Sequence, residues 1–473
     1  MSNSNWSRRS FFSASAAAGA ASLVHPAALA AQSAGVKTGD LPDLTIKEAK
    51  VYVTDIGDVR HLNSTENGEI VSLVTAGGIE GNYSIGNRGN PPGWLDYAKA
   101  ACVGKNLFDL LPTIAYGGGR RQGGGGGGGA RGGSAAAPAG GRGGAGGRGG
   151  AGAAPPAGAR GGGGGGGTGL FGGGFGFAAR RPRQNPASGP DLHGSICDVC
   201  LWDILGKAVN RPIYKILGNG GKDRMLAYAS SQHLATVEDF GPDAVKAKAA
   251  GLKGYKIHPG GGQRRSGGAI PGYLGHIDEI KEVRKAVGDD FSLLFDPVQR
   301  YNYFEALKVG RVLDQQGYLS FEDPMPTTEI EALVELRKTI DTPIEVGEFI
   351  LDVYDFPEYI KRGAMDIVRL IADNIGGITG SFRVGQMADA FGLPCTPHNW
   401  GNGFDLAVHF QIELALPNCY WFEMPWPWEY VDRPYMAKIR TDENGYVRAP
   451  TEPGLGYPLD RAVMEKITKR IDR

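Results

Sequence analysis

The sequence lacks several features that would point to particular classes of protein. Its 473 residues include only 5 cysteines, too few for a disulfide-stabilised scaffold. Lys and Arg together number 50, as do Asp and Glu, so no surplus of charge favours nucleic-acid binding or an acidic, solvated tail. No run of about 18 apolar residues occurs, so no transmembrane helix is expected. The chain is long enough for two domains, or for one large barrel with an addition.

Glycine is the one residue in large excess, with 77 copies. Most of the excess lies in stretches such as GGRGGAGGRGGAGAAPPAGARGGGGGGG, which have no apolar period and cannot bury a core. We predict a disordered Gly/Arg-rich insertion over residues 117–190. Arg-Gly segments also contact single-stranded RNA, but the arginine spacing is irregular here and aromatic residues are absent until Phe171, which disfavours that alternative.

The first residues have the pattern of an export signal. Ser7-Arg8-Arg9-Ser10-Phe11-Phe12 resembles a twin-arginine motif, an alanine-rich run follows, and Ala28-Leu29-Ala30 offers small residues for cleavage. An alanine-rich leader with a chance pair of arginines is the alternative. We expect residues 1–31 to be a twin-arginine-type signal peptide and the protein to be periplasmic or otherwise exported.

Beyond Met225 the chain alternates short apolar runs with helical patterns. The runs are LAYASS (226–231), GYKIH (254–258), SLLFD (292–296), YLSFE (318–322), PIEVGE (343–348), DIVRL (366–370), LPCTPH (393–398) and YWFE (420–423). Eight alternating strands and helices predict an α/β protein built on a (β/α)8 barrel. Functional groups of such barrels lie where the strands end. Six of the runs end in an ionisable residue: His258, Asp296, Glu322, Glu348, His398 and Glu423.

Three of these residues, Asp296, Glu322 and Glu348, are carboxylates on successive strands at equal intervals. One βα repeat per interval brings the strand ends side by side, and carboxylate oxygens are the ligands that Mg²⁺ prefers. Each acid alone could instead cap a helix, which is common at such junctions. Asp323 and Glu345 are competing carboxylates, but alternation along a strand predicts that both face away. We therefore predict that Asp296, Glu322 and Glu348 bind Mg²⁺.

Two histidines and a lysine are the candidates for proton transfer and substrate binding. Lys256 and His258 are two residues apart on one strand, so we expect both to point to the barrel mouth, where Lys256 holds a carboxylate and His258 accepts a proton. His398, within CTPHNWGN across the mouth, is the second acid or base. A turn-capping role for His258 and a structural role for His398 beside Trp400 are the alternatives.

As a set, these motifs resemble the enolase superfamily, and within it the mandelate racemase/muconate lactonising branch that includes the acid-sugar dehydratases. The resemblance rests on LWDILGKAVNRPIYKILG, the Lys-x-His at 256–258, LLFDPVQ, SFEDP, VGE, NIGGITG, TPHNWG and PGLGYPLD. It implies a modified (β/α)8 barrel with an N-terminal α+β capping domain that the C-terminus completes. The expected parts are the capping domain (44–116), the barrel with its leading cap helix (191–424) and the segment returning to the cap (425–473).

The resemblance also implies roles for individual residues. By this resemblance, the Mg²⁺ ligands are Asp296, Glu322 and Glu348. His258 is the base on strand two and His398 is the acid or base on strand seven. Glu423 is the partner of the substrate carboxylate. One position departs from the family pattern. The aspartate that ends strand six and pairs with the strand-seven histidine is replaced by Ile371, while Asp366 and Asp373 are out of register.

The chemistry implied is abstraction of a proton α to a carboxylate, with Mg²⁺ stabilising the enediolate. Where a hydroxyl stands β to the carboxylate, protonated His398 expels it as water and a 2-keto-3-deoxy acid results. Racemisation, epimerisation or cycloisomerisation is the alternative. The expected partner is a small carboxylate or acid sugar, with no nucleic acid and no membrane insertion, and the resemblance implies a homo-oligomer. A non-catalytic binding protein, or a surface role dominated by the insertion, is the alternative outside enzymes.

Overall fold

The computed structural model describes residues 41–56, 68–84, 91–114, 192–218, 221–260 and 272–473, together with the backbone of 264–265 and 268–269. The predicted signal peptide and the predicted Gly/Arg-rich insertion both lie outside the described residues. No helix in the described part of the chain is long and apolar enough to cross a bilayer.

Strands and helices alternate through most of the described chain. The strands are β1 (Ile46–Thr54), β2 (Glu69–Thr75), β3 (Glu80–Ser84), β4 (Arg224–Ser230), β5 (Gly254–Ile257), β6 (Arg264–Arg265), β7 (Gly268–Ala269), β8 (Ser292–Phe295), β9 (Ser320–Glu322), β10 (Ile344–Val346), β11 (Ile367–Leu370), β12 (Cys395–Pro397), β13 (Trp421–Pro425), β14 (Tyr446–Arg448) and β15 (Thr468–Asp472). The α-helices are α1 (Pro91–Ala101), α2 (Leu107–Ile114), α3 (Leu192–Ala208), α4 (Ile213–Leu217), α5 (Val237–Ala249), α6 (Gly272–Val287), α7 (Tyr303–Gln316), α8 (Ile330–Thr339), α9 (Phe356–Arg362), α10 (Gly377–Ala390), α11 (Gly403–Ala415) and α12 (Arg461–Ile467).

The capping domain is built on an antiparallel sheet with strand order β15-β1-β2-β3. Its outer strand β15 comes from the far end of the chain and pairs with β1 from Val51 to Thr54. Helices α1 and α3 pack on this sheet and α2 packs against α3, through buried side chains such as Trp94 and Leu107. The Tyr83 hydroxyl lies 2.8 Å from an Asp373 carboxylate oxygen and thereby connects the cap to the barrel.

The second sheet holds the eight parallel barrel strands in the order β12-β11-β10-β9-β8-β5-β4-β13, with β14 added antiparallel to β4. The two ends of this sheet meet where the Cys395 N–H donates to the Asn418 carbonyl, just ahead of β13. Parallel strands read as short apolar runs because helices cover the outer face. The barrel and capping domain predicted from the sequence are confirmed.

Several strand ends differ from the prediction by one or two residues, and in strand eight the difference matters. We expected this strand to finish at Glu423, but β13 continues to Pro425. Glu423 therefore lies in the middle of the strand, where its side chain is buried inside the barrel rather than placed at the mouth. The expectation that Glu423 ends its strand is wrong, because Met424 and Pro425 extend the pairing with β4.

Candidate active site

Three acidic side chains converge where strands three, four and five of the barrel end. One carboxylate oxygen of each of Asp296, Glu322 and Glu348 lies within 4.8 Å of the other two. All three side chains are buried, and Glu348 Oε2 has no hydrogen-bond partner within the described residues. Burial, followed by the charge of Asp296, raises the pKa of Glu348 to about 7. Converging buried carboxylate oxygens are what a hard divalent cation such as Mg²⁺ requires, so the donor set fits that ion.

Glu345 also faces the barrel interior, which corrects the prediction that it points away. It pairs in register with Glu322 on the neighbouring strand, and its Oε1 lies 3.1 Å from Arg369 Nη1. Gly347 explains how Glu345 and Glu348 reach the same side although they are three residues apart. Its φ of 143° interrupts the alternation after β10, and a Cβ there would lie 2.1 Å from the Arg369 carbonyl oxygen.

Asp323 is a further buried acid beside the triad. Its φ is 34°, its side chain is fully buried, and neither carboxylate oxygen has a hydrogen-bond partner among the described residues. Burial first, and then the charges of Glu348 and Asp296, raise its pKa well above the usual range. The chain turns to positive φ directly after Glu322, so Asp323 does not continue the regular strand on which the prediction for it was based.

Arg369 on strand six is the central cation of the site, and the sequence analysis missed it. It is fully buried, its Nε contacts Glu322, its Nη2 contacts Glu423, and its Nη1 lies 3.1 Å from Glu345 Oε1. Its Nε also lies 3.7 Å from Glu348 Oε2. The available signal was an arginine inside the apolar run DIVRL, since a charged side chain is rarely buried unless it is paired.

Lys256 and Glu423 form the floor of the site. Lys256 Nζ lies 2.7 Å from Glu322 Oε2 and 2.5 Å from Glu423 Oε1, and it is fully buried. Glu423 also accepts from the Ser230 hydroxyl at 2.6 Å. Burial alone would raise the pKa of Glu423, but Arg369 and Lys256 outweigh it and hold that pKa well below the usual value. Lys256 thus neutralises protein carboxylates in this structure.

His258 follows β5 directly and reaches the triad from the strand-two side, next to Asp296 of strand three. Its Nε2 lies 3.0 Å from Asp296 Oδ2, while its Nδ1 lies 2.7 Å from the Ser231 carbonyl oxygen. A carbonyl oxygen only accepts, so Nδ1 carries a proton and the other nitrogen faces Asp296. Burial raises the pKa of Asp296, but the hydrogen bond and charge of His258, with Lys256 behind it, lower the pKa overall.

His398 approaches the triad from the opposite side. Its Nε2 lies 3.5 Å from Glu348 Oε2, and its Nδ1 accepts the backbone N–H of Trp400 at 3.3 Å. In the neutral ring the proton of His398 is therefore on Nε2, the nitrogen that faces Glu348. The aspartates considered as partners lie elsewhere: Asp373 meets Tyr83, and Asp366 is paired with Arg337 at 2.7 Å.

The structure thus brings all seven sequence-predicted site residues into one cluster. They are Lys256, His258, Asp296, Glu322, Glu348, His398 and Glu423. It adds Arg369 and Glu345 to them. A parallel barrel with a converging carboxylate triad, flanked by two histidines at its carboxyl-terminal mouth, defines the class of (β/α)8-barrel proteins with a candidate site for a divalent cation.

The comparisons with known proteins agree with this class. The family model Enolase C-terminal domain-like matches residues 240–463. The arabinonate dehydratase of Saccharolobus solfataricus is 31% identical over 274 residues, which cover 57% of this chain and 70% of the relative. The D-gluconate/D-galactonate dehydratase of Picrophilus torridus is 29% identical over 282 residues, covering 58% and 70% of the two chains.

Solved structures show the same fold over almost the whole chain. The D-glucarate dehydratase of Agrobacterium tumefaciens, complexed with magnesium, has a TM-score of 0.64 at 22% identity and covers 90% of this chain and 100% of its own. An enolase-superfamily member from Salmonella Typhimurium has a TM-score of 0.67 at 18% identity, covering 91% and 100%. The chain belongs to the enolase superfamily, in its mandelate racemase/muconate lactonising branch, and is a lyase or isomerase of that group.

Proposed function

We propose that this protein is a Mg²⁺-dependent dehydratase of sugar acids that converts a 2,3-dihydroxy acid into a 2-keto-3-deoxy acid. The observation that carries the proposal is a pair of histidines whose Nε2 atoms face the converging carboxylate triad from the sides of strands two and seven. The names of the relatives, which include arabinonate, D-gluconate and D-galactonate dehydratases, support the same substrate class.

Asp296, Glu322 and Glu348 would hold the metal ion, since they are the buried oxygen donors that converge. Bound Mg²⁺ supplies positive charge beside the substrate carboxylate as negative charge builds up there. Lys256 and Arg369 act through Glu322, which they fix from both sides. Because both cations form their ion pairs with protein carboxylates, we assign them to positioning of the triad rather than to the substrate.

His258 is proposed as the base that removes the proton from the carbon α to the carboxylate. The Ser231 carbonyl keeps a proton on Nδ1, so Nε2, which lies beside Asp296, is the nitrogen through which the neutral ring would accept the proton. The pair of electrons left on the α-carbon is delocalised into the carboxylate. Loss of the metal or of His258 is therefore expected to prevent the same step, removal of the α-proton.

His398 is proposed as the acid that completes the elimination. Acceptance of the Trp400 N–H at Nδ1 leaves the proton of the neutral ring on Nε2, which faces the triad. This proton goes to the hydroxyl on the β-carbon as the C–O bond breaks, so water leaves and an enol remains. The enol then takes up a proton at the β-carbon and becomes the 2-keto acid, which balances the reaction.

Epimerisation is the second candidate, because the two histidines reach the triad from the sides of strands two and seven. In that reaction His398 would return a proton to the α-carbon rather than to a leaving hydroxyl. The expectation from its Nε2–H is that dehydration wins wherever a β-hydroxyl is present. A substrate without a β-hydroxyl would reveal the epimerase activity.

The test is a panel of D-gluconate, D-galactonate, D-arabinonate and galactarate, incubated in D₂O with Mg²⁺. Loss of the α-proton is followed by NMR and 2-keto acid formation by semicarbazide absorbance. The wild type is expected to do both, His258→Asn neither, and His398→Asn exchange without product. His193→Asn, a half-buried histidine of the cap, is the matched control. Full activity in EDTA, or wild-type product formation by His398→Asn, would contradict the proposal.

We also propose that the protein is exported by the twin-arginine pathway, on the strength of Arg8 and Arg9 in the leader. Replacing both with lysine should leave the protein in the cytoplasmic fraction of a host that has this pathway. Periplasmic recovery of the double variant would contradict the assignment.

A further inference from the structure

The segment Ser231–His233, which follows strand one, contacts the base His258. The His258 backbone N–H donates to Ser231 Oγ at 3.0 Å, and its ring Nδ1 donates to the Ser231 carbonyl at 2.7 Å. His233 adds a contact to the next residue, since its Nδ1 lies 2.9 Å from the Pro259 carbonyl and 3.3 Å from that of His258. The turn after β5 is thus held through both its backbone and its side chain.

The ring of His233 also limits where the ring of His258 can lie. The two rings meet edge to face with centroids 5.7 Å apart, and Trp400 packs against the ring of His258 at 5.5 Å, also edge to face. His258 is therefore held between one ring from strand one and one from the loop after strand seven. With the Ser231 carbonyl, these contacts fix the direction in which Nε2 points.

His233 is suited to this task because it stays neutral. Both of its Nδ1 contacts are carbonyl oxygens, which only accept, so that nitrogen carries the proton. Burial, and then the neighbouring His258 and Arg300, lower its pKa to about 4. Arg300 Nη1 reaches the Pro259 carbonyl from the other side at 2.5 Å and the Gly260 carbonyl at 3.0 Å. The turn that follows the base is therefore clamped from strands one and three.

We propose that His233 is a positioning residue for the base, whose Nδ1–H and ring hold His258 with Nε2 aimed at the carboxylate triad. The inference rests on the proposed role of His258. Nothing in it requires His233 to touch the substrate. A displacement of about 1 Å at a reacting group costs up to ~10²-fold in rate, so the contacts on this turn matter for turnover more than for binding.

The test compares His233→Ala with His233→Asn. The asparagine Nδ2–H stands as many bonds from the backbone as the histidine Nδ1–H, so it can still donate to the Pro259 carbonyl, whereas alanine cannot. With D-gluconate, D-galactonate, D-arabinonate and galactarate as probes, we expect His233→Ala to lower kcat by about 10- to 100-fold with little change in KM. His233→Asn should recover at least half of that loss on a logarithmic scale.

A kinetic isotope effect separates positioning of the base from general damage. With probes deuterated at C2, His233→Ala should raise the isotope effect on kcat/KM, because proton abstraction becomes slower relative to the other steps. His193→Ala, which truncates a half-buried histidine in the cap, should change neither quantity. Wild-type kcat in His233→Ala, an unchanged isotope effect, or no advantage of asparagine over alanine would overturn the proposal.

Crystal structures of both variants provide a readout that needs no substrate. In His233→Ala the His258 ring should leave the Ser231 carbonyl, and in His233→Asn it should stay. A ring that keeps its position within about 0.5 Å in His233→Ala overturns the inference, since that is the tolerance of a functional site. If His258→Asn has full activity, the proposed function fails instead, and the ring positions still decide the role of His233.

Discussion

Replacing Arg369 with methionine is the sharpest test of how the buried charges of the site are balanced. The change removes the cation that contacts Glu322 and Glu423 and lies 3.1 Å from Glu345, while it keeps a long apolar side chain in the barrel. Breaking a buried ion pair by removing one partner costs about 3–5 kcal/mol, because a charge remains without compensation. Lys256 still contacts Glu322 and Glu423, so we expect a loss near the lower end, about 3 kcal/mol.

The measurement is urea unfolding followed by far-UV circular dichroism, in EDTA and in excess Mg²⁺. Arg369 Nε lies against Glu322 and 3.7 Å from Glu348, so it competes with the metal for the charge of two triad members. Mg²⁺ should therefore stabilise the methionine variant more than the wild type, by mass action on a tighter site. The double change Arg369→Met with Glu345→Gln should recover part of the loss, because it removes one uncompensated charge.

Arg461→Met is the matched control. Arg461 is 55% exposed and pairs with Glu80 at 2.7 Å on the surface of the cap, so its loss should cost less than about 1 kcal/mol. A loss below about 1 kcal/mol for Arg369→Met as well, or an equal response of the two methionine variants to Mg²⁺, would refute the reasoning.

Three further changes test other parts of the structure. Gly347→Ala forces a Cβ to 2.1 Å from the Arg369 carbonyl oxygen, so it should weaken Mg²⁺ binding measured by calorimetry. Unchanged affinity would show that Gly347 does not set the direction of the Glu348 side chain. Burial raises the pKa of Glu279 to about 9. This folded-state pKa lies above the unfolded one, so the free energy of unfolding falls as the pH rises from about 4.5 toward 9, by at most about 1.4 kcal/mol per pH unit. Glu279→Gln should flatten this slope when stability is measured by urea titration at several pH values. An unaltered slope would exclude the assignment. Tyr83→Phe removes the hydroxyl contact with Asp373 and should lower unfolding stability by about 1–3 kcal/mol, whereas a melting temperature equal to the wild type would contradict a link between cap and barrel.

The fold and the position of the triad were predictable because both depend on periodic features. Parallel strands covered by helices leave short apolar runs, and the residue that follows each run lies at one end of the barrel. That regularity is why Asp296 and His258, each one residue beyond its strand, were predicted at the mouth.

What the sequence did not reveal depends on local departures from that regularity. Glu345 was assigned to the wrong face because the positive φ of Gly347 is invisible in a pattern of alternation. Arg369 was not predicted because its contacts come from three other strands. His233 was not predicted because it lies beyond strand one, outside the recognised motifs. The length of strand eight was also misjudged, because Met424 and Pro425 pair with strand one in three dimensions only.

The pairing of β1 with β15 constrains the order in which the chain can assemble. These two strands are neighbours in space, yet they are separated by the entire barrel in sequence. During synthesis the first strand of the cap therefore leaves the ribosome long before its outer neighbour exists, and one edge of that sheet stays open while the barrel is made. Folding that proceeds from the amino terminus would complete the barrel first and close the cap last. The edge of β1 is then the surface at which newly made chains of this protein are most exposed to pairing with one another.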